Sequence, residues 1–183
     1  MSVTSLTWSR EDSPTWDDAK QRIIGGAPEG ALDLDYRPGQ DLPGDWFVAS
    51  ADGTPVGYGW LDSTWGGDTE ILLAVDPERQ QHGVGSFVLA HLEREAARRG
   101  TNYVYNTVRD GHPDRDAVHD WLLVRGYEGN ESDASLRKRV TDAEPAAAPQ
   151  SSPRTVAAGE VPDGRPPGHE ESGGYVNLED HRF

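Results

Sequence analysis

The sequence has 183 residues, which is enough for one domain with an additional terminal segment. It contains no cysteine, and this excludes disulfides, thiolate zinc sites and a cysteine nucleophile. Its net charge of −15 disfavours nucleic-acid phosphates and anionic lipids as partners and favours cationic ones.

The first half of the chain predicts a strand, a helix and a hairpin. Val3 to Ser9 alternates as a strand does. A helix follows with Ser13 as its N-cap and Pro14 at its first position, and Gly25-Gly26 ends it. The segments "DWFVAS" and "PVGYGWLD" flank a turn containing Asp52-Gly53, which is a hairpin signal.

The second half predicts a buried strand and then two helices that alternate with strands. Thr69 to Val75 is apolar almost throughout, as in a strand buried on both faces. Gly83 to Arg99 is an amphipathic helix, "NYVYNTV" is a strand, and a second helix opens at Pro113 and ends at Gly126. "ASLRKRV" alternates like an edge strand. The whole order predicts an α/β domain with a mixed sheet.

The composition changes sharply after Val140. Residues 141–183 are rich in Pro, Ala, Ser, Gly and acidic residues, with 8 acidic against 3 basic side chains. Such a segment buries too little apolar surface to offset its ordering entropy, so we expect a disordered acidic tail. Its end, 173–183, carries four large apolar side chains and suits a docking segment for its own domain or for a partner. An ordinary frayed terminus is the alternative.

The stretch "QQHGVGS" has two glycines directly before the amphipathic helix. A helix start offers unpaired backbone N–H groups and a partial positive charge, and glycine lets an anion approach closely. The spacing matches neither a dinucleotide fingerprint nor a P-loop. The residues alone leave two interpretations open: an anion site, or a tight turn without a ligand.

Three segments in this order resemble the GNAT superfamily of acetyltransferases. Gln80 to Gly85 matches its Arg/Gln-x-x-Gly-x-Gly/Ala loop, and "LLAVDPER" is similar to the strand before that loop. "AVHDWLLVRGYEG" is similar to the closing helix with its Gly-aromatic pair, here Gly126-Tyr127. The resemblance covers about 47–140. It implies a single GNAT-like domain over 1–140, with a mixed, mostly antiparallel sheet flanked by helices.

The resemblance further implies that acetyl-CoA is the acyl donor. Its pyrophosphate would lie on the amides of the loop and its pantetheine along the preceding strand. The residues implied in cofactor binding are Leu73, Ala74, Val75, Gln80, Gln81, His82, Gly83, Val84, Gly85, Ser86 and Asp114. The histidines offer no plausible third ligand, so no metal is expected.

Acetyl transfer to an amine needs a base and, for the departing thiolate, a proton donor. The family often carries a Glu on the strand before the loop, which points to Glu70, with Asp68 as second choice. The usual donor is a Tyr four residues before the closing glycine, but Leu122 stands there. Tyr105, His119 or water could substitute.

The acceptor implied is an amine of a small molecule or of a protein. Trp46, Trp60 and Trp65, near Asp62, would suit a cation, although most tryptophans in a small domain are core residues. An alternative function is an inactive GNAT-fold binding or regulatory module that acts through the tail. No apolar run approaches a membrane span and no signal peptide is recognisable. We therefore expect a soluble, cytoplasmic, bacterial protein without nucleic-acid or membrane partners, and leave oligomerisation open.

Overall fold

In the part of the chain that the structure describes, six strands form one sheet whose spatial order follows the chain. The computed structural model describes residues 5–32, 34–130 and 134–140. The tail 141–183, with the docking segment expected at 173–183, lies outside them. The strands are β1 (Leu6–Arg10), β2 (Asp45–Ala51), β3 (Thr54–Ser63), β4 (Thr69–Val75), β5 (Tyr103–Thr107) and β6 (Ser135–Arg139). The helices are α1 (Asp18–Ile23), α2 (Val84–Arg98) and α3 (Arg115–Leu123), with a short 3-10 turn at Pro77–Arg79.

The order of elements and the α/β class agree with the sequence-based prediction, but the start of α1 does not. The helix begins at Asp18, and the carboxylate of Asp17, not the hydroxyl of Ser13, caps it by accepting from the Lys20 N–H at 2.8 Å. Residues 14–16 are instead extended, because they pair with 40–42. The Trp16 N–H donates to the Gln40 carbonyl, and Pro14 and Thr15 bridge to 41–42. Contacts across the fold therefore override the local Ser-Pro signal.

Neighbouring strands are antiparallel everywhere except between β4 and β5, which α2 connects by a crossover. Only two residue pairs join these two strands, Thr69 with Val104 and Glu70 with Tyr105. Beyond them the strands separate, and the side-chain amide of Asn106 donates to the Ile71 carbonyl across the gap at 2.7 Å. The sheet therefore has a wedge-shaped opening where β4 and β5 end.

Apolar side chains cover both faces of the sheet. On one face α2 and α3 pack on residues such as Ile71 and Val104, which are fully buried. On the other face α1 covers an aromatic cluster in which the rings of Trp46 and Trp60 stack at 4.6 Å. Because β4 contributes Ile71 to one cluster and Ala74 to the other, its expected burial on both faces is confirmed. No helix among the described residues has the length and apolarity needed to cross a bilayer.

A buried ion pair fixes α1 to the sheet. Lys20 has no exposed surface, and its ammonium lies 2.9 Å from the Glu11 carboxylate and 3.1 Å from that of Asp17. The same ammonium stands 4.7 Å from the ring centre of Tyr58. The segment that follows α1 lines the cavity described below.

Replacing Gly59 in β3 with Val should destabilise the fold by about 1–3 kcal/mol, because α2 packs directly on this glycine. A Cβ at this position would lie 2.8 Å from one Leu92 methyl and 3.0 Å from a Val88 methyl. Chemical denaturation of Gly59→Val, Leu92→Ala and the double variant measures the coupling. We expect the double variant to lose at least ~1 kcal/mol less than the sum of the single losses. Strictly additive losses would mean that these two side chains do not compete for space.

Candidate active site

A cavity of about 800 Å³, called here the main cavity, opens where β4 and β5 separate. Its walls come from five parts of the chain that are distant in sequence: β4, the start of α2, the end of β5, α3 and the segment after α1. They comprise Ala27, Pro28, Ala31, Leu32, Glu70, Leu72, Leu73, Ala74, Val75, Gln80, Gln81, Gly83, Gly85, Ser86, Asn106, Thr107, Val108, Arg109, His112, Asp114, Val118, Trp121, Leu122 and Arg125. Carboxylate, imidazole and guanidinium groups thus share one apolar cleft, as in ligand sites generally.

The start of α2 forms one end of the main cavity. Gly83 is the N-cap residue with a left-handed φ of 81°, and no side chain caps the helix. Gln81 is also left-handed, with φ 63°, which is uncommon for a residue with a Cβ. The first helical hydrogen bond runs from Phe87 N–H to the Gly83 carbonyl. The backbone amides of the first turn are therefore available to another acceptor. They form a surface on which an anion can bind.

Most residues expected to contact a cofactor do line the main cavity. They are Leu73, Ala74, Val75, Gln80, Gln81, Gly83, Gly85, Ser86 and Asp114. Val84 is the first residue of α2, and its side chain is buried in the core. His82 is exposed and lies outside the lining, and its Nδ1 is 2.6 Å from the Gln80 carbonyl oxygen. Its imidazole thus contacts the loop backbone and not the cavity.

Glu70 is half-buried and lines the main cavity. It lies directly opposite Asp62 of β3 and beside Tyr105 of β5. Like charges opposite each other in a sheet are destabilising, so this pairing does not stabilise the fold. Within the described residues, no basic side chain forms an ion pair with Asp62, Asp68 or Glu70. The three carboxylates together make an uncompensated acidic surface at the cavity edge.

Tyr105 lies at this acidic surface but not in the lining of the main cavity. Burial raises the pKa of its phenol, and the charges of Glu70, Asp62 and Asp68 raise that pKa further. The phenol therefore keeps its proton at neutral pH, where it can donate a hydrogen bond. Asp68 also lies outside the lining, at the β3–β4 turn.

The two other residues considered for the proton donor differ in position. His119 is buried, with its Nε2 3.1 Å from the Asn130 carbonyl oxygen, and it does not line the main cavity. Leu122 does line the cavity and is 1% exposed, so the position of the family's tyrosine carries hydrocarbon. Tyr127, after the closing glycine, is buried and donates to Glu93 at 3.1 Å. Burial and the Glu93 carboxylate raise the pKa of that phenol, which serves packing.

His112 lines the main cavity and was missed by the sequence reasoning. Its Nδ1 lies 3.0 Å from the backbone N–H of Asp114, which donates to it. A neutral ring that accepts at Nδ1 carries its proton on Nε2, which is then the donor atom. The only sequence signal is its position just after a strand, at the carboxyl end where ligands of open sheets bind.

Arg125 also lines the main cavity and was likewise missed. Its guanidinium donates to the Ser86 hydroxyl at 2.7 Å and to the Trp121 carbonyl at 2.8 Å, and it stacks 4.0 Å from the Trp121 ring centre. It therefore joins the end of α3 to the first turn of α2. A basic residue beside the closing glycine was the available signal, but no local pattern shows which element it contacts.

A second hollow of about 590 Å³ adjoins the main cavity, and four residues line both: Ala27, Pro28, Leu32 and Arg109. Its remaining wall includes Trp16 and Ile24. The segment after α1 crosses the segment after β5 in the wall of the second hollow. A Cβ on Gly30, whose φ is 85°, would lie 2.4 Å from the Gly111 carbonyl oxygen, so only glycine permits this crossing.

Of the tryptophans considered for an acceptor, Trp46 and Trp60 are core residues and Trp65 is fully exposed.

In the ranges that the structure describes, no three His, Asp or Glu side chains converge as metal ligands would.

The model of the Acetyltransferase (GNAT) family matches residues 6–121. No curated protein sequence matches the chain.

Two solved structures share the fold. A candidate N-acetyltransferase from Lactobacillus plantarum is 14% identical with a TM-score of 0.56, and the match covers 74% of this chain and 99% of that one. YhhK of E. coli, a candidate N-acetyltransferase solved bound to coenzyme A, is 16% identical with a TM-score of 0.52, over 74% of this chain and 98% of that one. At such identities the likeness concerns the fold alone.

Proposed function

The chain belongs to the GNAT family of acetyltransferases, and from this premise we propose that it moves an acetyl group from acetyl-CoA to an amine of a small molecule or a protein. One observation carries the proposal. The uncapped start of α2 and the gap between β4 and β5 open into the same cavity, which also contains a carboxylate. The cleft would thereby combine an anion site, a slot for an extended arm and a base.

The donor would use both backbone features of the cleft. Its pyrophosphate would accept from the amides of residues 83–86, where charge-assisted hydrogen bonds are worth about 1.5–3 kcal/mol each. Its pantetheine would run along residues 72–75 of β4. Because β5 has separated there, the outward backbone groups of β4 lack a strand partner and can bond to the amides of the arm.

Glu70 would be the base. An alkylamine with a pKa near 10.4 is less than ~0.1% neutral at pH 7, so a positioned proton acceptor is worth about 100–10,000-fold. The amine nitrogen would bond to the thioester carbonyl carbon and give its proton to the Glu70 carboxylate, directly or through water, as the carbon–sulfur bond breaks. Asp62 and Asp68 would attract the protonated amine to this edge before it reacts.

His112 would donate a hydrogen bond from Nε2 to the departing thiolate, which would take its proton from water. Nε2 is the donor atom of its neutral ring, and the ring lines the cavity that Tyr105 and His119 do not line. Leu122 cannot fill this role because its side chain has no proton to give. Tyr105 remains the alternative donor, through the protonated phenol that lies beside Glu70.

The alternative is an inactive GNAT-fold module that acts through its tail, and the hydrocarbon of Leu122 is the observation that favours it. A calorimetric titration with acetyl-CoA, followed by thioester-consumption assays with a panel of amines, separates the two. We expect binding at one site and turnover of at least one amine. Binding without turnover of any amine or basic peptide would support the inactive module, and no binding would remove the acetyltransferase.

A further inference from the structure

We propose that Arg125 supplies the positive charge that the phosphate groups of the donor require, from α3 and not from the glycine loop. This inference rests on the proposed function, since it assumes that coenzyme A binds in the main cavity. The starting point is that the loop, "QQHGVGS", contains neither Lys nor Arg. Its amides can donate hydrogen bonds but contribute no full charge.

The electrostatic need is larger here than in a neutral protein. Coenzyme A is a polyanion, whereas the chain carries a net charge of −15, and Glu70 and Asp114 add negative charge to the cavity wall itself. An anion therefore binds only where a local cation outweighs this field. Among the described residues that line the main cavity, the arginines Arg109 and Arg125 carry permanent positive charge.

Geometry assigns this role to Arg125. Its guanidinium lies 2.7 Å from the hydroxyl of Ser86, which belongs to the first turn of α2. The guanidinium is therefore next to the amides expected to bind phosphate. Arg109 belongs to the other end, where it also lines the second hollow beside Gly111. Of these two arginines, only Arg125 can act on the same anion as the start of α2.

The guanidinium is held in place before any ligand arrives. Stacking on Trp121 at 4.0 Å and the bond to the Trp121 carbonyl fix its plane, and the Trp121 ring in turn lies against Gly85. An arginine has five N–H donors, and its contacts with the described residues use two, which leaves three that could bond to phosphate oxygens. A preorganised, planar cation binds phosphate with less loss of side-chain entropy than a free lysine.

The test compares Arg125→Gln with Arg94→Gln. Both variants remove one positive charge, but Arg94 is exposed on α2, and within the described residues its side chain bonds to its own helix, through the Ala90 carbonyl. Calorimetry with coenzyme A at low and high salt should show Kd raised about tenfold by Arg125→Gln, near the lower end of a charge-assisted hydrogen bond. The salt dependence of binding should flatten in the same variant, because one screened attraction is gone. Arg94→Gln should leave both quantities within about twofold of the wild type.

Arg125→Lys and Ser86→Ala extend the test if Arg125→Gln folds poorly. The lysine keeps the charge without the fork or the stacking and should recover part of the affinity. Ser86→Ala keeps the charge but releases its anchor, and should weaken binding less than Arg125→Gln does. If the wild type binds coenzyme A and Arg125→Gln binds it as tightly as Arg94→Gln does, this inference is overturned alone. If the wild type does not bind coenzyme A, the proposed function fails with it.

Discussion

Replacing Glu70 with Gln should lower kcat by about 100-fold or more and leave acetyl-CoA affinity nearly unchanged. The amide retains the shape of the side chain but cannot take a proton, so the loss should fall in the range of general-base catalysis. Because the amine must then lose its proton to water, the rate of the variant should rise with pH over a range where the wild type has levelled. Steady-state kinetics from pH 6 to 10 with the preferred amine would measure this.

Asp62→Asn is the matched control for Glu70→Gln. Asp62 is the direct cross-strand neighbour of Glu70, so both changes remove one negative charge from the same acidic surface, but Asp62 does not line the main cavity. We expect Asp62→Asn to raise KM for a cationic amine several-fold with little change in kcat. Equal effects of both variants on kcat would mean that Glu70 acts only through its charge. A larger loss of kcat with Asp68→Asn than with Glu70→Gln would assign the base to Asp68.

Replacing Gly83 with Val should weaken coenzyme A binding roughly 100-fold, which corresponds to the loss of about two charge-assisted hydrogen bonds. Gly83 has φ 81°, and a side chain there costs on the order of 1–2 kcal/mol in the left-handed region, more when branched. The loop would relax toward negative φ and turn the amides of the first turn away from the anion. A Cβ at Gly83 meets no protein atom within 4 Å, so the core should remain intact.

Gly100→Val controls for the backbone strain of Gly83→Val. Gly100 follows the other end of α2, also has φ 81°, and a Cβ there meets nothing within 4 Å. The two variants should therefore lose similar unfolding free energy in denaturation experiments, while calorimetry finds weakened binding only in Gly83→Val. Unchanged affinity in Gly83→Val would remove the claim that the start of α2 binds the pyrophosphate. Equal weakening in both would attribute the loss to a general loosening of α2.

Much of the fold could be predicted because it is encoded locally. Period-2 and period-3.6 patterns mark the strands and helices, and the glycines at 83, 100 and 126 mark helix ends. The start of α1 was predicted wrongly because a Ser-Pro signal is only a local preference. In the fold, the segment before α1 forms backbone hydrogen bonds to residues 39–42, more than twenty residues later, and those bonds outweigh it.

The sequence alone determined the order of the elements, the glycine-marked start of α2 and the carboxylate of Glu70 on the strand before it. Each depends on neighbours a few residues away, which a linear pattern contains. Only the tertiary structure decided that His112 faces the main cavity while His119 is buried, and that Arg125 reaches Ser86, 39 residues away in the chain. Such contacts depend on how α3 packs beside α2. That packing is set by the shape of the whole core, so no short segment of the chain specifies it.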